Sequence, residues 1–174
     1  MAAVMVARQG RELQRYSDST GGRIVVGCVP YRVRDSDGGV EVLVISSQKK
    51  GAAGGVLLPK GGWELDESMQ EAAAREAMEE AGVAGEVGDQ ALGVWWYRSR
   101  SYDATYEGIV LPMRVTRVHE RWPEMGARRR EWVDPAEAVA RCHHAWMREA
   151  IQKFVDDRRS SQRGAEAALL GSAL

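Results

Sequence analysis

The order of elements predicts an α+β fold, a sandwich built on a mixed β-sheet. Three observations carry this. Two apolar, β-branched runs precede a long alanine-rich helix, and further strand-like runs follow it. A second helix with apolar residues at helical spacing comes near the end.

Residues 1–22 are polar and irregular and end in the loop "SDSTGG". "RIVVGCVPYRV" and "VEVLVISS" then read as strands joined by "RDSDGG", whose Asp-Gly suits a hairpin turn. "GAAGG" reads as a flexible loop and "VLLP" as a short strand stopped by Pro59. Ser68 with Glu71 forms a capping box that starts the helix, and Gly82 provides a left-handed residue to end it.

"LGVWWYRSR" and "EGIVLPMRVTRV" suit further strands. In "REWVDPAEAVA" Asp134 is placed to cap a helix, Pro135 takes its first position, and Glu137 completes a capping box. "AWMREAIQKFVDDRR" is the second long helix, and "SSQRGAEAALLGSAL" reads as mobile or weakly helical. The expected organisation is an N-terminal extension over 1–22, one domain over 23–159 and a mobile C-terminal tail over 160–174.

The chain has 174 residues, a formal net charge of −1 and no apolar run long enough to span a bilayer. Its N-terminus lacks the apolar region of a signal peptide and has more acid than a transit peptide. The expectation is cytoplasmic residence, with the nucleus possible and organelle import not excluded. The two cysteines lack metal-ligand spacing, and Cys28 sits in an apolar run as a buried, inert thiol.

The segment "LPKGGWELDESMQEAAAREAMEEAG" carries seven carboxylates. At about 100° per residue, Glu76, Glu79 and Glu80 fall within an arc of roughly 100° beside the stripe Ala73, Ala77 and Ala81. A solvated charged face is the plain alternative. Yet Glu76 and Glu80 are like charges at i, i+4, which costs a few tenths of a kcal/mol. Only Arg75 is near enough to answer them, at i, i+4 from Glu79. Hard oxygen ligands on a rigid helix suit Mg²⁺, with Mn²⁺ a workable substitute.

Gly61, Glu67, Arg75, Glu76, Glu79, Glu80 and Gly82 stand at the spacing G-x5-E-x7-R-E-U-x-E-E-x-G-U, where U is apolar; Ala77 and Val83 fill the U positions. This pattern resembles the Nudix box. The resemblance implies an α/β/α sandwich, its mixed sheet flanked by the Nudix helix and a C-terminal helix, and hydrolysis of a diphosphate linked to another moiety. By the family's pattern Glu76, Glu80 and the backbone carbonyl of Lys60 hold the metal, and Glu79 is the candidate base, although the roles of Glu79 and Glu80 vary within the family. Glu67 and Arg75 brace the loop–helix junction.

The flanking stretches "VVGCVPYR", "VEVLVISSQK", "LPKGGWE", "WP", "RRREWV" and "WMREAIQKFV" resemble the diphosphoinositol polyphosphate phosphohydrolase group in its plant-like form, over about residues 15 to 155. That implies action on diphosphoinositol polyphosphates, with diadenosine polyphosphates, capped RNA or other nucleoside diphosphate derivatives as the alternative. A heavily phosphorylated ring needs cations at several points, and arginine suits bidentate phosphate contact. Arg23, Lys49, Lys50, Arg98, Arg100 and Arg128, with the loop glycines Gly61 and Gly62, are the expected substrate contacts. Three departures concern substrate preference. "RIV" stands where animal members carry a basic triplet entering the first strand, leaving Arg23 as the clear counterpart. "RSRSYD" alters their later basic stretch, and Lys60 replaces the glycine before the box. The expected partner is a small-molecule polyphosphate, with no membrane and no obligatory nucleic acid, and a monomer is favoured. His143 and His144 read as surface or helix-end residues, because Mg²⁺ prefers oxygen.

Overall fold

The computed structural model describes residues 6–99 and 102–173. One mixed sheet holds eight strands: β1 Ile24–Val33, β2 Val40–Ser47, β3 Gly51–Leu57, β4 Lys60–Gly62, β5 Val83–Val87, β6 Gly93–Arg98, β7 Thr105–Val118 and β8 Arg130–Val133. The helices are α1 Met69–Glu76, α2 Pro135–Arg141 and α3 Ala145–Gly171, and a π turn, Ala77–Ala81, continues α1. Among the strands of the described residues β1 and β7 pair in parallel and the other pairings are antiparallel.

Both β1 and β2 change partners along their length. Tyr31–Val33 pair with Val40–Val42, whereas Val25–Gly27 pair with Lys60–Gly62. Further along β2, Ile45 and Ser46 pair with Leu57 and Val56. The sheet therefore opens between β1 and β2, and the β3–β4 segment fills the gap. This places Lys60, Gly61 and Gly62 in a sheet beside the carboxylate helix rather than in a free loop. A Cβ at Gly27 would approach the Pro59 carbonyl to 2.8 Å, so this crossing is too tight for a larger residue.

Strand alternation divides the core between the two faces of the sheet. Val42, Val44 and Val110 pack with Trp146, Met147, Ala150, Ile151 and Phe154 of α3. Leu43, Ile45, Ile109 and Leu111 pack with Ala72, Ala73, Ala77 and Ala81. These alanines are fully buried, so the carboxylate helix lies close against the sheet; a larger side chain there would cost about 1–3 kcal/mol in overpacking. The expected sandwich, flanked by this helix and the C-terminal one, is the observed fold.

Several local expectations differ. β3 begins at Gly51, so "GAAGG" is strand, with Gly55 in the left-handed region at φ 69°. Asp134 makes no capping hydrogen bond because it pairs with Arg34, and Glu137 pairs with Arg141 instead of closing a capping box. Residues 160–171, read as mobile or weakly helical, continue α3 as exposed helix. The anchored part of α3 removes the cost of nucleation, and Gln, Arg, Glu, Ala and Leu then extend it cheaply.

The N-terminal segment is tied in. Arg15 donates from its main chain to the Trp63 carbonyl at 2.8 Å, and Leu65 to the Leu13 carbonyl at 2.7 Å. The buried Gln14 amide donates to the carbonyls of Arg15 and Ile24 at 2.7 and 3.0 Å.

Candidate active site

The helix starts as its sequence requires. Ser68 Oγ accepts from the Glu71 amide at 3.1 Å, and the Glu71 carboxylate accepts from the Ser68 amide at 3.1 Å. At the other end Gly82 sits at φ 65°. The last turn is π rather than α, a distortion that recurs at functional sites.

Glu76, Glu79 and Glu80 are all buried, which is unusual for carboxylates. Arg75 is the main counter-charge of Glu76 and Glu79. Its Nη1 donates to Glu76 Oε1 at 2.8 Å and reaches Glu79 Oε2 at 3.4 Å, while Nε and Nη2 grip both Glu67 oxygens at 2.9 and 2.7 Å. Nη2 also donates to the Gly62 carbonyl at 2.9 Å. Glu67 in turn accepts from the Glu64 amide at 3.0 Å, so the loop and helix are locked together.

Glu80 receives the Lys60 amide on Oε2 at 3.1 Å and Arg128 Nη2 on Oε1 at 3.2 Å. Arg128 is held by the Ser46 carbonyl at 2.9 Å and by Glu124 at 3.3 Å. Gly61 lies directly against the Glu76 carboxyl, and any Cβ there would overlap it.

Burial pushes the Glu76 carboxyl up to about 8, reinforced by the charge of Glu80 and resisted by Arg75. Burial also raises Glu80, against the pull of Lys60 and Arg128. Such a site favours a cation to offset the negative charge. Among the described residues no three His, Cys, Asp or Glu side chains already converge as a finished metal cage. The carboxylates are turned to Arg75 and Arg128 and to the amides of Arg8 and Lys60. The donor set still fits a hard divalent ion: buried carboxylate oxygens on one helix end, with a glycine leaving room beside one of them.

Arg128, which contacts Glu80, also lines a cleft of about 1010 Å³. Arg129, Arg141 and His143 line it with Ser46, Ser47 and Gln48, and Glu131 is its one acidic residue. Among the described residues no Phe, Tyr or Trp lines it.

The structure thus brings together Lys60, Gly61, Gly62, Glu67, Arg75, Glu76, Glu79, Glu80 and Arg128. Arg23 is close by: its Nε donates to Gln14 Oε1 at 2.9 Å, and a Cβ at Gly62 would come within 2.6 Å of its Nη2. Lys49 and Lys50 are exposed on the β2–β3 turn, between Gln48 and Gly51 of the cleft. Arg98 is exposed at the end of β6 and paired with Asp103. Arg100 lies outside the described residues.

Arg8 carried no signal of a place here, unlike Trp63, which follows the two glycines. The Arg8 amide donates to Glu79 Oε1 at 3.2 Å, while its guanidinium pairs with Glu64 and with Asp66, the latter at 3.0 Å. Trp63 lies under the Arg15 guanidinium and donates from Nε1 to the Glu67 carbonyl at 3.0 Å. Tyr97 stacks on Trp146, so that part of the "WWY" strand is core.

Buried, clustered glutamates thus sit at a helix end, braced by an arginine and faced by the short strand Lys60–Gly62. The NUDIX domain model matches residues 22–154, and the chain belongs to the Nudix family. Nudix hydrolases generally use divalent metal ions.

"Nudix hydrolase 21, chloroplastic" of Arabidopsis thaliana is 49% identical over 159 residues, covering 91% of this chain and 78% of that one. "Diphosphoinositol polyphosphate phosphohydrolase 3-alpha" of Mus musculus is 32% identical, covering 80% of this chain and 82% of that one. Among solved structures, a C. elegans Ap4A hydrolase binary complex has a TM-score of 0.61 at 19% identity, covering 79% of this chain and 98% of that one; this likeness shows the fold.

The relatives correct one expectation. Cytoplasmic or nuclear residence rested on a poor match to an import peptide. The 49%-identical relative is named chloroplastic, and two other Arabidopsis relatives, 50% and 49% identical, are named mitochondrial. Overall acidity in the first residues was a weak criterion, because such peptides vary in composition.

Proposed function

We propose that the protein hydrolyses the diphosphate group of diphosphoinositol polyphosphates, with Mg²⁺ as cofactor and Mn²⁺ able to replace it. Glu76, Glu80 and the Lys60 carbonyl would hold the metal. When bound, it would neutralise phosphate oxygens and favour in-line displacement.

The remaining steps belong to the chain's own groups. Glu79 takes a proton from the attacking water. The water oxygen bonds to the terminal phosphorus and the anhydride P–O bond breaks. The bridging oxygen leaves with the ring phosphate, and inorganic phosphate is released. Arg75, fixed by Glu67, keeps Glu76 and Glu79 in place. Arg128, with Arg23, Lys49, Lys50 and the glycine loop, receives the non-reacting phosphates.

The observation that carries this reading is the cleft beside Arg128. It is basic and, among the described residues, offers no Phe, Tyr or Trp ring to stack on a base; the His143 imidazole is its one aromatic group. The printed name of the mouse relative supports the same substrate class. The chloroplastic and mitochondrial relatives support action within an organelle. We favour a monomer working on a small molecule with no obligatory nucleic acid.

The test is phosphate release with Mg²⁺ from diphosphoinositol pentakisphosphate, in parallel with cleavage of diadenosine hexaphosphate, using Glu79→Gln protein as blank. At least tenfold preference for the inositol substrate is expected. Preference for the dinucleotide would discard the substrate class and direct attention to Trp63.

A further inference from the structure

The end of the carboxylate helix is held from outside the helix. Helix C-termini leave carbonyls without intrahelical partners, and here the π turn alters the ladder just before the end. Gly82 in its left-handed conformation already closes the turn, with its amide reaching the carbonyls of Ala77 and Met78. Water could satisfy the remaining carbonyls, but the 119–130 segment does so instead.

The Glu124 amide donates to the Glu79 carbonyl at 3.1 Å, and the His119 amide to the Gly82 carbonyl at 2.8 Å. Arg130 Nη1 donates to the carbonyls of Ala81 and Gly82 at 2.9 and 3.2 Å, and Nη2 to the His119 carbonyl at 2.6 Å. The guanidinium lies over the Trp122 ring at 3.9 Å, and Trp122 is buried against Gly82. A Cβ at position 82 would come within 2.6 Å of Arg130 and 2.8 Å of that ring. A cation at a helix C-terminus also complements the carbonyl dipoles.

Arg130 therefore differs from its neighbours in the basic run. Arg128 reaches the Glu80 carboxylate, whereas Arg130 grips the backbone just beyond Glu79 and Glu80. We propose that Arg130 is a positioning residue: by holding the carbonyls of Ala81 and Gly82 it fixes the π turn and so the aim of the Glu79 and Glu80 carboxylates. This rests on the reading that these glutamates act on a diphosphate. Misplacement of a reacting group by about 1 Å can cost on the order of a hundredfold in rate.

Two variants test it. Arg130→Met keeps an apolar stem over Trp122 and removes the donors. Arg130→Lys keeps the charge but cannot reproduce the planar fork. Three quantities are measured: the unfolding midpoint in EDTA, kcat and KM on whichever diphosphate the unaltered protein hydrolyses, and Mn²⁺ affinity by calorimetry without substrate.

Arg130→Met is expected to be folded at the assay temperature, with kcat at least ~10-fold lower, KM within about threefold and Mn²⁺ binding at least ~3-fold weaker; a tenfold loss is about 1.4 kcal/mol. Arg130→Lys is expected to recover part of kcat. A lower unfolding midpoint with kcat and Mn²⁺ affinity unchanged would reduce Arg130 to a stabilising residue and overturn the proposal. A raised KM at unchanged kcat would make it a substrate contact and also overturn it. If Arg130→Met does not fold, Arg130→Lys is judged by the same kcat and Mn²⁺ criteria. If the unaltered protein hydrolyses no diphosphate, the functional reading falls, and the Mn²⁺ titration alone decides the positioning claim.

Discussion

Replacing Gly61 by alanine adds one methyl group against the Glu76 carboxyl. A Cβ built there would lie closer than 3.0 Å to Oε1, Oε2 and Cδ of Glu76, whereas ordinary contact begins at 3.4 Å. Gly61 does not have a positive φ, so the substitution strains no backbone dihedral. Its effect is confined to pushing the carboxyl back by about 1 Å, a displacement that can cost on the order of a hundredfold in rate. The same retreat pulls Glu76 Oε1 from Arg75 Nη1, now 2.8 Å away. Because the displaced atoms end a flexible side chain, folding should suffer little. The assay is Mg²⁺-dependent phosphate release beside thermal unfolding in EDTA. We expect kcat to fall ~100-fold with the unfolding midpoint within a few degrees. Activity within threefold of the unaltered protein would refute the placement of Glu76 at the working centre.

Other consequences follow from the same geometry. Arg75→Met strands the buried Glu67 beside two other buried carboxylates, and removing one partner of a buried pair costs about 3–5 kcal/mol; urea unfolding in EDTA should show that loss, and a loss below 1 kcal/mol would contradict the bracing role. Arg128→Ala should raise KM for a polyphosphate substrate at least ~10-fold, with less effect on a simple diphosphate; equal effects on both would remove Arg128 from the polyanion cleft. Glu76, raised to about 8 in the folded chain from an ordinary 4.5, keeps its proton where the unfolded chain has lost it. Metal-free stability should therefore fall as pH rises across that window, and added Mg²⁺, which favours the charged carboxylates, should raise the unfolding midpoint more at pH 8.5 than at pH 6. An equal increment at both values would count against the buried carboxylates as the binding group.

Much of this site was legible because its signals are local. The Ser68–Glu71 box, Gly82, the alanine stripe and the three glutamates all lie within one helix, where sequence spacing sets direction. The strand runs likewise announced themselves by their apolar residues, but Val42–Ile45 is apolar throughout, so only the structure divides Leu43 and Val44 between the two faces.

What escaped depends on distant partners. The Arg8 amide meets Glu79 across 71 residues, and no periodicity marks a main-chain donor in a polar segment. Arg128 and Arg130 stand two residues apart in one basic run, yet one faces a carboxylate and the other a helix end. Their separation depends on how β8 enters the sheet beside β2. The opening between β1 and β2 was hidden for a similar reason, since each strand changes partner midway. The segment 160–171 reads between mobile and weakly helical when its composition is taken apart from the anchored helix before it.

The central claim is that the crowded carboxylates form a divalent-metal site. Calorimetric titration of Mn²⁺ into the full chain at pH 7.5, beside Glu76→Gln and Glu80→Gln proteins, tests it most directly. We predict one site in the unaltered chain that weakens at least ~10-fold in each variant. Equal affinity in all three proteins would contradict the claim.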